Sequence, residues 1–242
     1  MLPRATQRIL STLDDDAVVL DVGGWAAPFN RADWMLDLMP YETRGVMGSY
    51  GPGPERFTAD TWVVRDMCDH EPWPFEDDQF DFVVCATTLE DIRDPIWVSH
   101  EIARVAKAGY VEVPTVLAEL IQGMQGPWLG HNHHRWICQV DEHANEVVFT
   151  HKPHNLHFDW RVRVTPRWAE QLDEEEHLQG LFWEGTFGAR ERVHVDEPFP
   201  LDEYAEMVRA RFTPSRRELA LRRGRERLVR GVTRARGARR TG

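Results

Sequence analysis

Three aspartates and a pair of glycines are the residues of this chain best placed to do chemistry on a ligand. Asp21 stands just before Gly23-Gly24, Asp37 closes a short apolar run over Trp34-Met35-Leu36-Asp37-Leu38, and Asp66 closes another over Thr61–Asp66. Glycines let a backbone approach a ligand closely. A carboxylate offers several acceptor positions, enough for both hydroxyls of a ribose or for the exocyclic amine of a purine. The set therefore suits a nucleoside ligand. Any one of these aspartates can equally be a turn-capping residue. Three in a row at the ends of successive apolar runs are harder to explain that way.

A second group is a cluster of histidines. Seven of the 11 in the chain fall between His131 and His157, and the dense part reads GHNHHRWICQV. If this segment enters a strand, His131 and His133 share one face and His134 takes the other. Three readings compete. The cluster can be a hydrogen-bonded loop packed against Trp128 and Trp136. It can contact substrate or act as a general base, since neutral imidazole can deprotonate a hydroxyl near pH 7. It can also hold a divalent metal with a distant carboxylate such as Glu112 or Glu119. The sequence displays no group to orient the rings for a metal, so none is assigned. His131, His133 and His134 remain the catalytic candidates.

The elements that must position these residues follow from the pattern of apolar runs. Ala17–Val22, Trp34–Leu38, Thr61–Asp66, Phe80–Ala86 and Gly109–Pro114 read as short strands. The first is nearly continuous in apolar residues, as in a parallel sheet buried on both faces. A helix over Asp94–Lys107 lies between the fourth and fifth, with Pro95 in its first turn and Gly109 after its end. A short helix over residues 3–13 leads in. Strands alternating with helices and long connections predict an α/β domain with a mainly parallel sheet. After Pro114 the pattern changes. It predicts a short helix over Val116–Gln122, a hairpin of Arg135–Val140 with Glu146–His151, one or two strands in Leu181–Val195, and a helix including Tyr204–Phe212. Residues 1–208 thus read as one domain with a hairpin or cap region at about 115–200. Residues 209–242 read as an Arg-rich tail, helical in part.

In this order, VVLDVGG, MLDL, VVRDMCDHEPWPFEDDQFDFVVCATTLEDIRDP and EIARVAKAGYVEVP resemble class I S-adenosylmethionine-dependent methyltransferases, in particular a small-molecule methyltransferase-domain subgroup. The resemblance covers roughly residues 16–115 and implies a Rossmann-like sheet with S-adenosyl-L-methionine as cofactor. It implies that Asp21, Gly23 and Gly24 form the cofactor loop and that Asp37 binds the ribose. Asp66 and Met67 would flank the adenine, and Thr87 and Thr88 would line the methionine end. The chain departs from the pattern at GGWAAPFNRAD, which lacks a third glycine and carries Trp25 and Pro28. Asp21 and Asp37 are 16 positions apart, short of the ~20 of a full β-α-β unit. The first helix is therefore expected to be a single turn or absent. Asp91 stands where histidine is common, and Trp25 is placed either to cover the cofactor or to replace packing lost with that helix.

Composition bounds the partners. The 242 residues are 42% hydrophobic and 29% charged, which is globular. No apolar run reaches the 18 or so residues of a membrane span, and the N-terminal segment lacks the pattern of a secretory signal. Cys68, Cys85 and Cys138 are far apart and form no CxxC, so a disulfide framework is not predicted and a cytoplasmic location is. The net charge of −11 divides into −22 over residues 1–208 and +11 over 209–242, where 13 arginines meet two acids. An acidic body repels phosphates, so no nucleic-acid partner is expected. The tail is read as a solvated extension able to dock on an acidic surface, with membrane attachment the competing reading. The leading function is methyl transfer to an oxygen or nitrogen of a small-molecule acceptor, a sugar or secondary metabolite. The alternative is a non-catalytic binding or interaction protein that keeps the fold. A nicotinamide dehydrogenase is weaker, since GGWAAP lacks GxGxxG.

Overall fold

Apolar side chains alternate between the two sides of the central strands, and this alternation decides the architecture. The computed structural model describes residues 1–194 and 198–212. On strand β1 (Val19–Val22), Leu20 and Val22 enter one core cluster and Val19 enters another. The split recurs on β2 (Trp34–Asp37), β4 (Phe82–Ala86) and β5 (Ala108–Pro114). Leu36, Val83, Cys85, Val111 and Val113 lie on the first side. Met35, Phe82, Val84 and Tyr110 lie on the second. A sheet covered on both faces is the setting that favours parallel pairing. With β3 (Trp62–Val64) and β8 (Leu178–Glu184), the strands stand in the order β3-β2-β1-β4-β5-β8. All neighbours are parallel except β8, which runs antiparallel to β5. Chain order reverses between β1 and β4. In such a sheet the crevice beyond the carboxyl ends at that point is where ligands bind.

Helix α1 (Pro3–Thr12) closes the second face through Ala5 and Ile9. Helix α2 (Pro95–Val105) closes the first face through Val98, Ile102 and Val105. The Asp94 side chain caps α2 by accepting from the Trp97 N–H at 2.9 Å, an interaction of about 1 kcal/mol. The helix ends at Val105, two residues before the expected Lys107, because Ala106 turns to extended backbone and bridges Phe80. Strand β3 is also shorter than expected. A capping box between Thr58 and Thr61 holds a 3-10 turn at its start, so Asp66 lies two residues beyond its end.

The C-terminal part packs partly on the first cluster, through Cys138, Val147 and Phe149, and partly around a third. Short helix α3 (Val116–Glu119) follows β5. Strands β6 (Trp136–Asp141) and β7 (Glu146–His151) form the antiparallel hairpin, and β9 (Gly188–Glu191) adds parallel to β7. Helices α4 (Pro166–Ala169), α5 (Glu174–His177) and α6 (Leu201–Arg211) complete this region. Leu120, Ile137, Leu156, Val164, Tyr204 and Val208 form its centre. Within the stretch at 115–200, β8 returns to the main sheet. The Arg-rich stretch from residue 213 lies outside the described residues. No helix among the described residues is long and apolar enough to cross a membrane.

Candidate active site

The loop after β1 is strung between two carboxylates. Asp21 is buried, and its Oδ2 accepts from the Phe29 N–H at 2.8 Å. Asp37, 6% exposed, accepts from the Trp25 N–H at 3.0 Å through Oδ2 and from the Met39 N–H at 2.8 Å through Oδ1. No helix forms here, in line with the shortened spacing. Instead the loop carbonyls pair with residues 45–50: Gly45 donates to Trp25, Met47 to Ala26 and Tyr50 to Pro28, each at 2.8–2.9 Å. This leaves the N–H groups of Gly24, Ala26 and Ala27 without a hydrogen bond to any described residue. All three residues line a cavity of about 170 Å³, together with Asp21, Tyr50 and Thr87. Trp25 itself is half-buried, and its indole N–H donates to Thr43 Oγ1 at 2.9 Å.

Gly23 and Gly24 are required by this geometry. Gly23 has φ +77°, and a Cβ there would lie 2.3 Å from the Thr88 side chain. A Cβ on Gly24 would lie 2.2 Å from Asp21 Oδ2. Thr88 is buried, and its hydroxyl donates to the Gly23 carbonyl at 3.3 Å, joining the ends of β1 and β4. Thr87 adopts φ +53° and lines the cavity. Burial pushes the Asp21 carboxyl up to about 7, opposed by the Phe29 hydrogen bond. Burial also raises Asp37, against the hydrogen bonds from Met39 and Trp25.

Asp66 sits differently. It is half-buried, its Oδ2 takes a 2.7 Å bond from Arg93, and its Oδ1 takes the Cys68 N–H at 3.0 Å. The Arg93 bond holds it below the usual carboxylate range. The Met67 side chain is packed in the core and does not present a surface to a ligand. Sequence reasoning missed the apolar surface beside Asp37. Leu38 is 61% exposed, and Val64, in register with Asp37, is 56% exposed.

The three histidines come together. Ring centroids are 4.5 Å apart for His131 and His134, 4.7 Å for His133 and His134, and 5.3 Å for His131 and His133. The expectation that His134 takes the opposite face from the other two fails because residues 131–135 are not strand. The hairpin starts at Trp136, where the Arg135 and Trp136 N–H groups both donate to the Glu90 carbonyl. His134 Nδ1 lies 2.5 Å from Glu119 Oε1, and His133 Nδ1 lies 3.0 Å from Gln125 Oε1. Lys152 donates to Glu119 Oε2 at 2.6 Å and to the His131 carbonyl at 2.9 Å. Burial works to raise Glu119, but the bonds to His134 and Lys152 bring it below its ordinary value. Burial also lowers His131. Glu112 is committed elsewhere, accepting from Tyr110 Oη at 2.6 Å and from the Leu2 N–H at 2.9 Å. Asp91, the residue standing where histidine is common, faces the cluster. Its Oδ2 is 3.6 Å from His133 Nε2 and its Oδ1 is 4.0 Å from His134 Nε2.

The reversal between β1 and β4, the Gly-Gly loop and the acid at the end of β2 define a Rossmann-like nucleoside-binding domain of the class I methyltransferase kind. A family model described as "Methyltransferase domain" matches residues 2–152, and the chain belongs to that family. S-adenosyl-L-methionine is the methyl donor used by the family. Similar solved structures include a methyltransferase of Haloferax volcanii in complex with the Trm112 methyltransferase activator, at 20% identity and TM-score 0.33, covering 45% of this chain and 50% of that one. An arsenic(III) S-adenosylmethionine methyltransferase of Chlamydomonas reinhardtii is 15% identical at TM-score 0.31, covering 48% and 50%. An S-adenosylmethionine-dependent methyltransferase of Mesorhizobium loti is 11% identical at TM-score 0.33, covering 62% and 63%. The chain spans about half the length of the first two. No curated protein matches it.

The residues present fit the methionine arm of that cofactor. The unpaired amides of Gly24, Ala26 and Ala27 suit a carboxylate, and Asp21 suits an ammonium group. The cavity of about 170 Å³ is smaller than the ~300 Å³ at which pockets for whole ligands begin. A carboxylate has about four acceptor positions, and the Trp25 and Met39 amides occupy two of those on Asp37.

Proposed function

We propose that the protein transfers a methyl group from S-adenosyl-L-methionine to an oxygen or nitrogen of a small-molecule acceptor such as a sugar or secondary metabolite. The observation that carries this reading is the cavity at the β1/β4 reversal, with its unpaired amides, the buried Asp21 and the neighbouring Asp37. When bound, the cofactor supplies an electrophilic methyl on a sulfonium.

The chain's own work is to bind, align and manage a proton. Gly24, Ala26 and Ala27 donate to the carboxylate end, and Asp21 accepts from the ammonium. Asp37 accepts from the ribose hydroxyls through its remaining positions. Asp66 accepts from the adenine amine while Arg93 keeps it ionised. Gly23 and Thr88 fix the loop, and Thr87 borders the methionine end. The loop from Thr87 to Asp91 spans at most ~14 Å, a reach that supports an acceptor pocket between the cleft and the facing histidines. His131 and His133 are the candidates to take a proton from the acceptor. A cytoplasmic setting accords with this reading.

The test is incubation with tritium-labelled S-adenosylmethionine and a fractionated small-molecule extract. The expected result is tritium in a new small-molecule fraction with the wild type and its loss with Asp37→Ala. Label transferred only to macromolecules would overturn the small-molecule acceptor.

A further inference from the structure

We infer that His131, His133 and His134 form a binding site for a divalent first-row transition ion, with Asp91 facing His133 and His134. Imidazole and carboxylate donors suit such ions, zinc among them. One ligand atom from each histidine lies within 4.8 Å of the others.

Two further features favour an ion over a packed loop. The first is the tautomer. His133 and His134 each have Nδ1 against an acceptor, Gln125 Oε1 at 3.0 Å and Glu119 Oε1 at 2.5 Å. An N–H donated there leaves the Nε2 lone pair free, which is how metal-binding histidines are oriented by outer carboxylates and amides. Glu119 is itself held by Lys152 at 2.6 Å. This is the orienting group that the sequence did not reveal. The second feature is the gap to Asp91. Its oxygens stand 3.6 Å from His133 Nε2 and 4.0 Å from His134 Nε2, beyond hydrogen-bond length. Two donors on one tetrahedral ion at ~2.0–2.2 Å are about 3.3–3.6 Å apart, so the separation from His133 matches a shared ion and that from His134 is wider. Asp91 Oδ1 and His131 Nδ1 are both buried and have no hydrogen-bond partner among the described residues. A cation held by the three rings would give His131 Nδ1 a partner, and Glu119, against His134, supplies negative charge beside it.

The ion competes with the proton-accepting role given above to His131 and His133, because a ring nitrogen bound to an ion has no lone pair left for a proton; ion binding and cofactor binding are therefore read separately. The experiment is titration of the full-length, metal-stripped protein with Co²⁺, read by visible absorption and by calorimetry with Zn²⁺. Binding of S-adenosylhomocysteine is measured in parallel to report on the cofactor cleft alone. The expected result is one equivalent bound, with visible bands of a low-coordinate cobalt site. His133→Asn, at a position with its side chain 49% exposed, should weaken Co²⁺ at least tenfold with an unchanged circular dichroism spectrum. Glu119→Gln should weaken it by about 10–100-fold. No saturable binding by the wild type would overturn the site. Unchanged Co²⁺ affinity in His133→Asn would also overturn it, by placing the ion on other histidines.

Discussion

Replacing Asp21 by asparagine should separate what this residue costs the fold from what it does for the ligand. Its carboxyl sits at about 7 in the folded chain against 3.8 for a free side chain. Burial is the main cause, so the ionised form is the disfavoured one. Between these two values the folded state holds the proton more tightly than the unfolded chain. Stability therefore falls as pH rises through this window. The full displacement corresponds to about 4 kcal/mol, of which about 2.5 kcal/mol develops between pH 5 and pH 8. Asparagine can still accept from the Phe29 N–H, but its buried amide N–H₂ loses about 1–3 kcal/mol if unpaired. Asp21→Asn is thus expected to be neutral or less stable than wild type at pH 5 and to gain on it by about 2.5 kcal/mol at pH 8. Urea unfolding at both pH values measures this. Parallel pH profiles for the two proteins would refute the reasoning. The same proton should govern the cofactor. A cationic ligand beside Asp21 favours its ionised form, so affinity for S-adenosylmethionine should rise from pH 6 to pH 8 in the wild type and lose that rise in Asp21→Asn.

Three further outcomes are expected. Asp37→Ala should weaken S-adenosylhomocysteine by about 1.5–3 kcal/mol, the value of a hydrogen bond to a charged group; unchanged affinity by calorimetry, with the fold intact by circular dichroism, would remove Asp37 from the ribose role. Gly23→Ala places a Cβ at φ +77° and 2.3 Å from Thr88, so chemical denaturation should show a loss of about 1–3 kcal/mol together with weakened cofactor binding. Wild-type stability there would mean that the loop is not held as described. Deleting residues 214–242 should leave S-adenosylhomocysteine affinity unchanged, because every proposed cofactor residue lies before residue 90; a folded truncation that does not bind would place part of the tail at the site.

The parallel sheet was legible because its strands are buried on both faces, and VVLDV or FDFVVCA have no amphipathic alternative. The absent first helix was legible from the 16-position spacing and from Pro28. What replaces that helix was not, since pairing of residues 25–28 with 45–50 is long-range backbone bonding with no side-chain signature. Asp66 was readable as an acid near a strand end, but its ion pair with Arg93 depends on a contact 27 residues away. Met67, which the resemblance set beside the adenine, has its side chain in the core cluster together with Trp73, Phe75 and Phe80. The histidines stood out by type. Their convergence did not, because a period-two reading fails where the chain is irregular. Asp91 registered only as a departure from a pattern, and its position facing His133 and His134 gives it a meaning that local sequence lacks.

Calorimetric titration of the wild-type protein with S-adenosylhomocysteine tests the central claim most directly, since it needs no acceptor. One saturable equivalent is expected, lost or strongly weakened in Asp37→Ala and retained in His133→Asn. Absence of saturable heat from a folded protein at ligand concentrations up to the millimolar range would contradict a cofactor cleft at the β1/β4 reversal.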